Sequence, residues 1–157
     1  MRFLGHHVRV RRHPVNGLMV AATLVPRTAS HKLRERIKDL FRNVTFGKSL
    51  GDRLQELNPL LRGWSHFYCH AWGAKRVFAS LDHYVWWTIL RWLRKKHRHV
   101  NMATLVRRYW KRSPSGGLYW RDGAVEPFYM ARRRVQPFQL GWMKTPSFAI
   151  TRGEPDA

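Results

Sequence analysis

The chain has 157 residues, of which 30 are Lys or Arg and nine are Asp or Glu, so its formal net charge is +21. A hydrophobic content of 44% and eight Trp exclude a disordered basic tail, and no apolar stretch approaches the roughly 20 residues of a membrane span. The single cysteine, Cys69, excludes an internal disulfide and is typical of a reducing cytoplasm, where we expect the protein to reside. The charge favours a nucleic acid as partner over a membrane surface or a small acidic substrate.

The N-terminal part has the pattern of a β-hairpin followed by a helix. Residues 3–11 and 18–25 are the predicted strands, and Asn16-Gly17 between them is a strong signal for a tight turn. The first helix is predicted over residues 30–44, where apolar residues recur with helical spacing and Ser30 is placed to cap the N-terminus.

A second helix is predicted from a capping box. Ser49 and Asp52 have the spacing in which each side chain accepts a hydrogen bond from the other residue's backbone. Asn58-Pro59 interrupts the helical pattern, and proline is unfavourable inside a helix but acceptable in its first turn. We therefore expect a kink or a restart at Pro59, with a third element over residues 60–68.

The longest helix is predicted over residues 75–98, and it has two distinct faces. At about 100° per residue, one face is apolar and should be buried; it comprises Phe78, Leu81, Val85, Ile89 and Trp92. A second face lies roughly 140° away and is basic; it comprises Trp87, Arg91, Arg94, Lys95 and Arg98. Guanidinium groups bind phosphate in bidentate fashion, and Trp87 could either stack on an unpaired base or pack against a neighbouring element.

A shorter helix, capped by Asn101 and ending near Trp110, carries a second basic cluster. Arg107 and Arg108 are followed there by two aromatic and two further basic residues, a mixture found in proteins that bind single-stranded RNA, whereas the spacing of Tyr109 favours the core. From Ser113 onward the sequence is rich in Pro, Gly and aromatic residues and predicts no helix.

These elements predict a mainly α fold, a three- to four-helix bundle preceded by a β-hairpin and followed by a loop-rich C-terminal tail. The boundaries fall at residues 1–26, 27–112 and 113–157.

Neither catalysis nor a metal site is predicted. His66, Cys69 and His70 have a spacing that could place three metal ligands on one helical face, but no fourth ligand stands nearby. No close pair of acidic residues exists of the kind that two-metal phosphoryl transfer requires, and Gly116-Gly117 lacks the Lys of a phosphate-binding loop. We expect no catalytic residue, no metal and no cofactor.

Residues 58–68 read Asn-Pro-Leu-Leu-Arg-Gly-Trp-Ser-His-Phe-Tyr, and this segment resembles the maturase-specific region of group II intron reverse transcriptases. The core motif of that family is Asn-Pro-x-x-Arg-Gly-Trp followed by two aromatic residues. Phe3-Leu4-Gly5 is similar to the strand that leaves the polymerase palm, and Leu81-Asp82 precedes an aromatic helix as in the family. The resemblance covers about residues 3–110 and is looser from residue 113, where the chain resembles the start of a DNA-contacting region.

The resemblance implies a thumb and maturase-specific domain, with a remnant of the palm edge in residues 1–26, detached from its polymerase domain. It implies that the chain binds group II intron RNA and assists splicing, and that catalysis belongs to the RNA. A DNA target and a separately encoded upstream polymerase domain are further candidate partners. Alternatives are an inert remnant of a degraded intron-encoded protein and a basic module that binds double-stranded DNA.

The candidate site residues follow from the basic clusters and the motif. The RNA-binding candidates are Arg62, Lys75, Arg76, Trp87, Arg91, Arg94, Lys95, Arg98, Arg107 and Arg108. Arg62 could instead hydrogen-bond helix ends. The residues expected to hold the architecture, including a kink and a close helix crossing, are Asn58, Pro59, Gly63, Trp64, Phe67 and Tyr68.

Overall fold

A computed structural model describes residues 1–12, 17–42, 47–114 and 116–137, apart from the side chain of Arg2. The fold is mainly helical with an N-terminal antiparallel sheet, as predicted. The strands are β1 Arg2–Phe3, β2 His6–Arg12, β3 Met19–Leu24, β4 Trp110–Arg112 and β5 Leu118–Trp120. The helices are α1 Arg27–Arg42, α2 Leu50–Tyr68, α3 Ala74–Lys96 and α4 Met102–Tyr109, with a 3₁₀ turn at Met130–Arg132.

The N-terminal sheet has three strands in the order β1-β2-β3, all antiparallel. The expected pairing of β2 with β3 is confirmed, whereas the predicted first strand is divided by a turn at Leu4 and Gly5. Both residues have positive φ, 44° and 77°, which is the backbone of a two-residue hairpin turn. Leucine rarely adopts this conformation, so the sequence gives little sign of the turn. The predicted Asn16-Gly17 turn includes residues outside the described ranges.

Helix α1 begins at Arg27, three residues earlier than predicted. Ser30 therefore does not cap the helix; its hydroxyl donates to the carbonyl of Arg27 at 2.8 Å. The carbonyl of Pro26 accepts hydrogen bonds from the amides of Ala29 and Ser30 instead. The predicted apolar stripe is confirmed by its buried members, Leu33, Ile37 and Phe41.

Helix α2 starts with the predicted capping box. The Ser49 hydroxyl accepts from the Asp52 amide at 3.1 Å, and the Asp52 carboxylate accepts from the Ser49 amide at 2.9 Å. These hydrogen bonds hold the pKa of Asp52 below its ordinary value. The predicted restart at Pro59 is wrong, because α2 runs unbroken through it. Pro59 is exposed and forfeits one backbone hydrogen bond, and buried leucines on both sides hold the helix in place, among them Leu54, Leu57 and Leu61.

Helix α3 ends two residues earlier than predicted, so Arg98 lies beyond its C-terminus, whereas α4 agrees with expectation. All five residues of the predicted apolar face of α3 are buried. The side chain of Asn101 caps α4 by accepting from the amide of Ala103 at 3.2 Å, and Tyr109 is buried as its spacing indicated.

Residues 126–136, which we call the strap, are fastened to α2 and α3 by three side chains. Asn58 donates to the carbonyl of Glu126 at 2.9 Å and accepts from the amide of Phe128 at 2.7 Å. The carboxylate of Asp82 accepts from the amides of Met130 and Ala131 at 3.0 and 2.8 Å. The ammonium of Lys75 donates to the carbonyl of Ala131 at 2.5 Å.

The strap and the β4–β5 hairpin also contribute to the core. Trp120 is 1% exposed and Met130 is fully buried, both in the same cluster as the helices. The segment that follows Ser113 has no α-helix within its described residues, as expected, but it covers the helices. The functional division at residue 113 stays a prediction.

Gly63 does not mark a close helix crossing. A Cβ added at this exposed position would meet no atom within 4 Å. Glycine in a helix interior is less favourable than alanine because it loses more backbone entropy on folding.

Gly63→Ala should therefore raise the free energy of unfolding by about 0.5–1 kcal/mol, the helix-propensity difference between the two residues. Urea denaturation measures this change directly. A destabilised variant would show that another part of the chain approaches Gly63.

We expect Asp82 to make the stability of the protein depend on pH. Burial raises the pKa of its carboxyl above the ordinary 3.8, although the two amide hydrogen bonds oppose this shift. A raised folded-state pKa adds stability below the unfolded value, and that stability is lost as the pH rises through the folded value. Asparagine does not titrate, so Asp82→Asn is the reference. The free energy of unfolding of the native protein minus that of Asp82→Asn should decline as the pH rises from the unfolded-state pKa through the raised folded-state pKa, and then level off. Denaturation curves from pH 3 to pH 8 would refute the assignment if the difference were flat.

Candidate nucleic-acid interface

Helices α1 and α3 enclose a groove with a cationic rim, which we call the α1–α3 groove. Lys38 and Arg42 on α1 face Arg91 and Lys95 on α3 across a volume of about 390 Å³. Each helix contributes its two cations four residues apart, so both pairs lie along one edge of their helix. The remaining lining residues are Phe41, Tyr84, Thr88 and Trp92.

Contacts between the two helices fix the shape of this groove. The guanidinium of Arg34 donates to the hydroxyl of Ser80 at 2.9 Å, and it lies 5.4 Å from the ring centre of Tyr84. Phe41 meets Trp92 edge to face, with ring centres 5.9 Å apart. The floor is therefore formed by aromatic rings that belong to the core or pack on it.

The basic face predicted for α3 is divided between two grooves. Arg94 and Arg98 do not line the α1–α3 groove; they line a second cavity of about 490 Å³ beside α4, whose other residues include Met102 and Leu105. Lys38 and Arg42 were not among the sequence candidates. Their four-residue spacing matches that of Arg91 and Lys95, but a single helix pattern does not say which helices become neighbours.

Among the residues that the structure describes, no carboxylate forms an ion pair with Lys38, Arg42, Arg91 or Lys95. The ion pairs within the described ranges are His31–Glu35, Lys48–Glu56, Arg53–Glu56 and Arg121–Glu126. Asp52 and Asp82 accept backbone hydrogen bonds, and Asp122 accepts from the amide of Gly51 at 3.0 Å. None of these contacts neutralises a groove cation, so the groove keeps its positive charge and is suited to bind an anion.

Trp87 is partly exposed on α3, one turn before Arg91. Its side chain is 41% accessible, and its indole N–H donates to Nε2 of His83 at 2.9 Å. One edge contacts Trp86, with ring centres 4.9 Å apart, and Trp86 in turn packs on Trp110 and Trp120. The ring of Trp87 therefore packs against Trp86 and also presents an accessible surface.

The two arginines of α4 are exposed. The guanidinium of Arg108 lies 5.3 Å from the ring centre of Tyr109, and the Tyr109 hydroxyl is 3.1 Å from Nε2 of His97. Burial, followed by the charges of Arg108 and Lys96, lowers the pKa of His97. At a given pH, His97 is therefore protonated to a smaller extent than an ordinary histidine and adds less to the local positive charge.

The remaining RNA-binding candidates lie apart from the α1–α3 groove. Lys75 holds the strap through the Ala131 carbonyl. Arg76 is exposed near the start of α3. Arg62 is exposed on α2, with its guanidinium 5.5 Å from the ring centre of Phe128 in the strap.

The aromatic residues of the motif connect α2 to the core and to the N-terminal sheet. Trp64 is half-buried and packs on Tyr68 and Phe78 at 4.5 and 5.9 Å between ring centres. The hydroxyl of Tyr68 donates to the carbonyl of Gly5 at 3.2 Å. Phe67 is exposed but stacks on His6 at 5.1 Å.

His66, Cys69 and His70 have separate partners. The thiol of Cys69 donates to the His66 carbonyl at 3.0 Å, and Nδ1 of His66 contacts the guanidinium of Arg133 at 2.5 Å. Nδ1 of His70 lies 3.0 Å from the carbonyl of Gln136. Within the described ranges, no group of three His, Cys, Asp or Glu residues could hold a metal ion. The helices in these ranges also lack an apolar stretch of the length needed to span a membrane.

The structure thus defines a small helical domain with basic grooves. The family model of the group II intron maturase-specific domain matches residues 30–110, which is a little over half of the chain. The chain therefore belongs to this family. The matched range runs from α1 to the end of α4 and includes both walls of the α1–α3 groove. No curated protein and no solved structure matches the chain.

Proposed function

We propose that this chain binds folded group II intron RNA and assists splicing by stabilising the folded RNA. The observation that carries the proposal is the α1–α3 groove, in which four cations face one another without a carboxylate partner among the described residues. The family to which the chain belongs supports a role related to group II intron maturases.

The chemistry of the groove suits an RNA backbone. Arg42 and Arg91 can each bind a phosphate in bidentate fashion, and Lys38 and Lys95 act as compact point charges. Each phosphate that a cation neutralises releases condensed counterions, which favours binding and makes it sensitive to salt. RNA binding would also offset the mutual repulsion of the four unpaired cations.

Recognition in this proposal depends on RNA shape more than on sequence. Phosphate contacts position a protein on a nucleic acid but carry no sequence information. Folded RNA is recognised by its shape and by unpaired bases that stack on aromatic or guanidinium planes. Trp87, one turn before Arg91 on α3, has an accessible ring surface on which such a base could stack.

The chain contributes binding and no catalysis in this proposal. The matched family is the maturase-specific domain and not a polymerase domain. The chemistry of splicing is assigned to the intron RNA, and we propose the cytoplasm as the compartment.

The N-terminal sheet is the surface we propose for a separately encoded polymerase domain. Several large apolar side chains are exposed there, namely Phe3, Leu4, Val10, Leu18 and Met19. Exposed apolar patches of this kind mark sites of protein association. A DNA target is proposed only on the resemblance of residues 113–157 to a DNA-contacting region.

The groove is tested by two double variants, Lys38→Gln/Arg42→Gln and Arg91→Gln/Lys95→Gln. Glutamine is a good helix former, so the fold should survive. Each variant should lower the slope of log K against log salt for group II intron RNA by about 1.4–1.8, since each lost phosphate contact accounts for about 0.7–0.9. Affinity measured at several salt concentrations gives the slope.

The matched control is Lys32→Gln/Arg36→Gln, which removes two exposed charges that lie roughly 120–160° around α1 from Lys38. It should change the slope much less. The proposal fails if both groove variants behave like the control. Tighter binding of duplex DNA than of intron RNA at equal salt would favour a DNA-binding module, and no binding to either would indicate an inert remnant.

A further inference from the structure

The exposed face of α2 and the strap enclose a second basic cleft, which we call the strap cleft. Its volume is about 400 Å³, within the roughly 300–1,000 Å³ range typical of small-ligand sites. Three arginines line it together with two aromatic residues of the strap, and these five are Arg62, Arg132, Arg133, Phe128 and Tyr129. The motif residue Asn58 positions the cleft, because both the nitrogen and the oxygen of its side-chain amide are hydrogen-bonded to the strap backbone.

The arginines of the strap cleft are oriented by neighbouring rings. Arg62 lies over Phe128 at 5.5 Å, and Arg133 contacts Nδ1 of His66. Arg132 lies over Tyr119 at 4.7 Å and donates to the carbonyl of Gly116 at 3.2 Å. A guanidinium that is already held in place loses less entropy when it binds a ligand. Because the phenyl ring of Phe128 and the imidazole Nδ1 of His66 carry no negative charge, Arg62 and Arg133 remain able to attract an anion.

The acidic residue of this cleft is engaged elsewhere. Glu126 lines the cleft, but its carboxylate lies 3.7 Å from Nε of Arg121, and both side chains are largely buried. The cleft is lined by three arginines and this one carboxylate, so it keeps an excess of positive charge.

Gly63 opens the surface of α2 beside the cleft. It lies on the exposed face of the helix with Arg62 and His66, and no atom lies within 4 Å of where its Cβ would be. Glycine at this position lowers the stability of the helix, and no neighbouring atom in the described part of the chain requires a residue without a side chain here. A bare helix backbone allows a ligand to approach closely, which a side chain at this position would prevent.

The composition of the cleft favours single-stranded over double-stranded RNA. Unpaired bases can stack on aromatic rings and guanidinium planes, whereas a duplex hides its base faces. The cleft is also separate from the α1–α3 groove. Asp82, which holds the strap, precedes Arg91 by nine residues, so the two lie roughly 180° apart around α3.

We propose that the strap cleft binds an unpaired segment of RNA, with its phosphates on Arg62, Arg132 and Arg133 and its backbone passing over Gly63. This inference rests on the proposed function, because both sites serve an RNA partner. The domain then holds two RNA elements on opposite sides of α3, a folded element at the α1–α3 groove and a single strand at the strap cleft.

The test uses the full chain and two probes, a uridine dodecamer and a 12-base-pair RNA duplex. Arg62→Gln/Arg133→Gln should weaken binding of the dodecamer by about 10- to 25-fold at about 0.1 M salt, as expected for two lost phosphate contacts. Its effect on the duplex should equal that of the control Lys32→Gln/Arg36→Gln. Gly63→Gln, which changes no charge, should weaken dodecamer binding while its thermal unfolding temperature is at least that of the native protein.

The inference is overturned if neither cleft variant differs from the control on the dodecamer, or if duplex binding falls as much as dodecamer binding. Failure of the proposed function gives a different result. In that case the groove variants bind intron RNA with an unchanged salt slope, whatever the dodecamer shows.

Discussion

The buried face of α3 is the surface on which the rest of the domain depends. Phe78, Leu81, Ile89 and Leu93 are fully buried along it, and a helix of 23 residues provides about 35 Å of such surface. Helix α1 is fastened on one side through Arg34 and Ser80, and the strap on the opposite side through Asp82. Because α1 and the strap pack against α3 on opposite sides, the α1–α3 groove and the strap cleft form, and basic residues line each of them.

The scarcity of acidic residues is the second constraint. Most of those in the described ranges serve the fold locally: Asp52 caps α2, Asp82 and Asp122 accept backbone hydrogen bonds, and Glu56 pairs with Lys48 and Arg53. Carboxylates used in this way cannot neutralise the groove cations. The excess positive charge, whose self-repulsion would destabilise the folded protein, therefore lies in grooves that are open to a polyanion.

Local signals in the sequence predicted most of the fold, whereas relations between distant segments were not predictable. The capping box and the apolar stripes depend on spacing within one helix, and both are confirmed. The restart at Pro59 is wrong because buried leucines on both sides outweigh the lost hydrogen bond. The close crossing expected at Gly63, the role of Asn58 in holding the strap, and the division of the basic face of α3 all depend on which segments become neighbours. A single helix pattern carries no such information.

Lysine footprinting of the complex with group II intron RNA tests the central claim most directly, because it requires no substitution. An amine-reactive label, read out by mass spectrometry, compares each lysine in the free and bound protein. The account predicts that Lys38 and Lys95, which face each other across the α1–α3 groove, lose reactivity when RNA binds. Lys32, on another side of α1, should remain reactive. Full reactivity of Lys38 and Lys95 in an RNA-saturated complex would contradict the account.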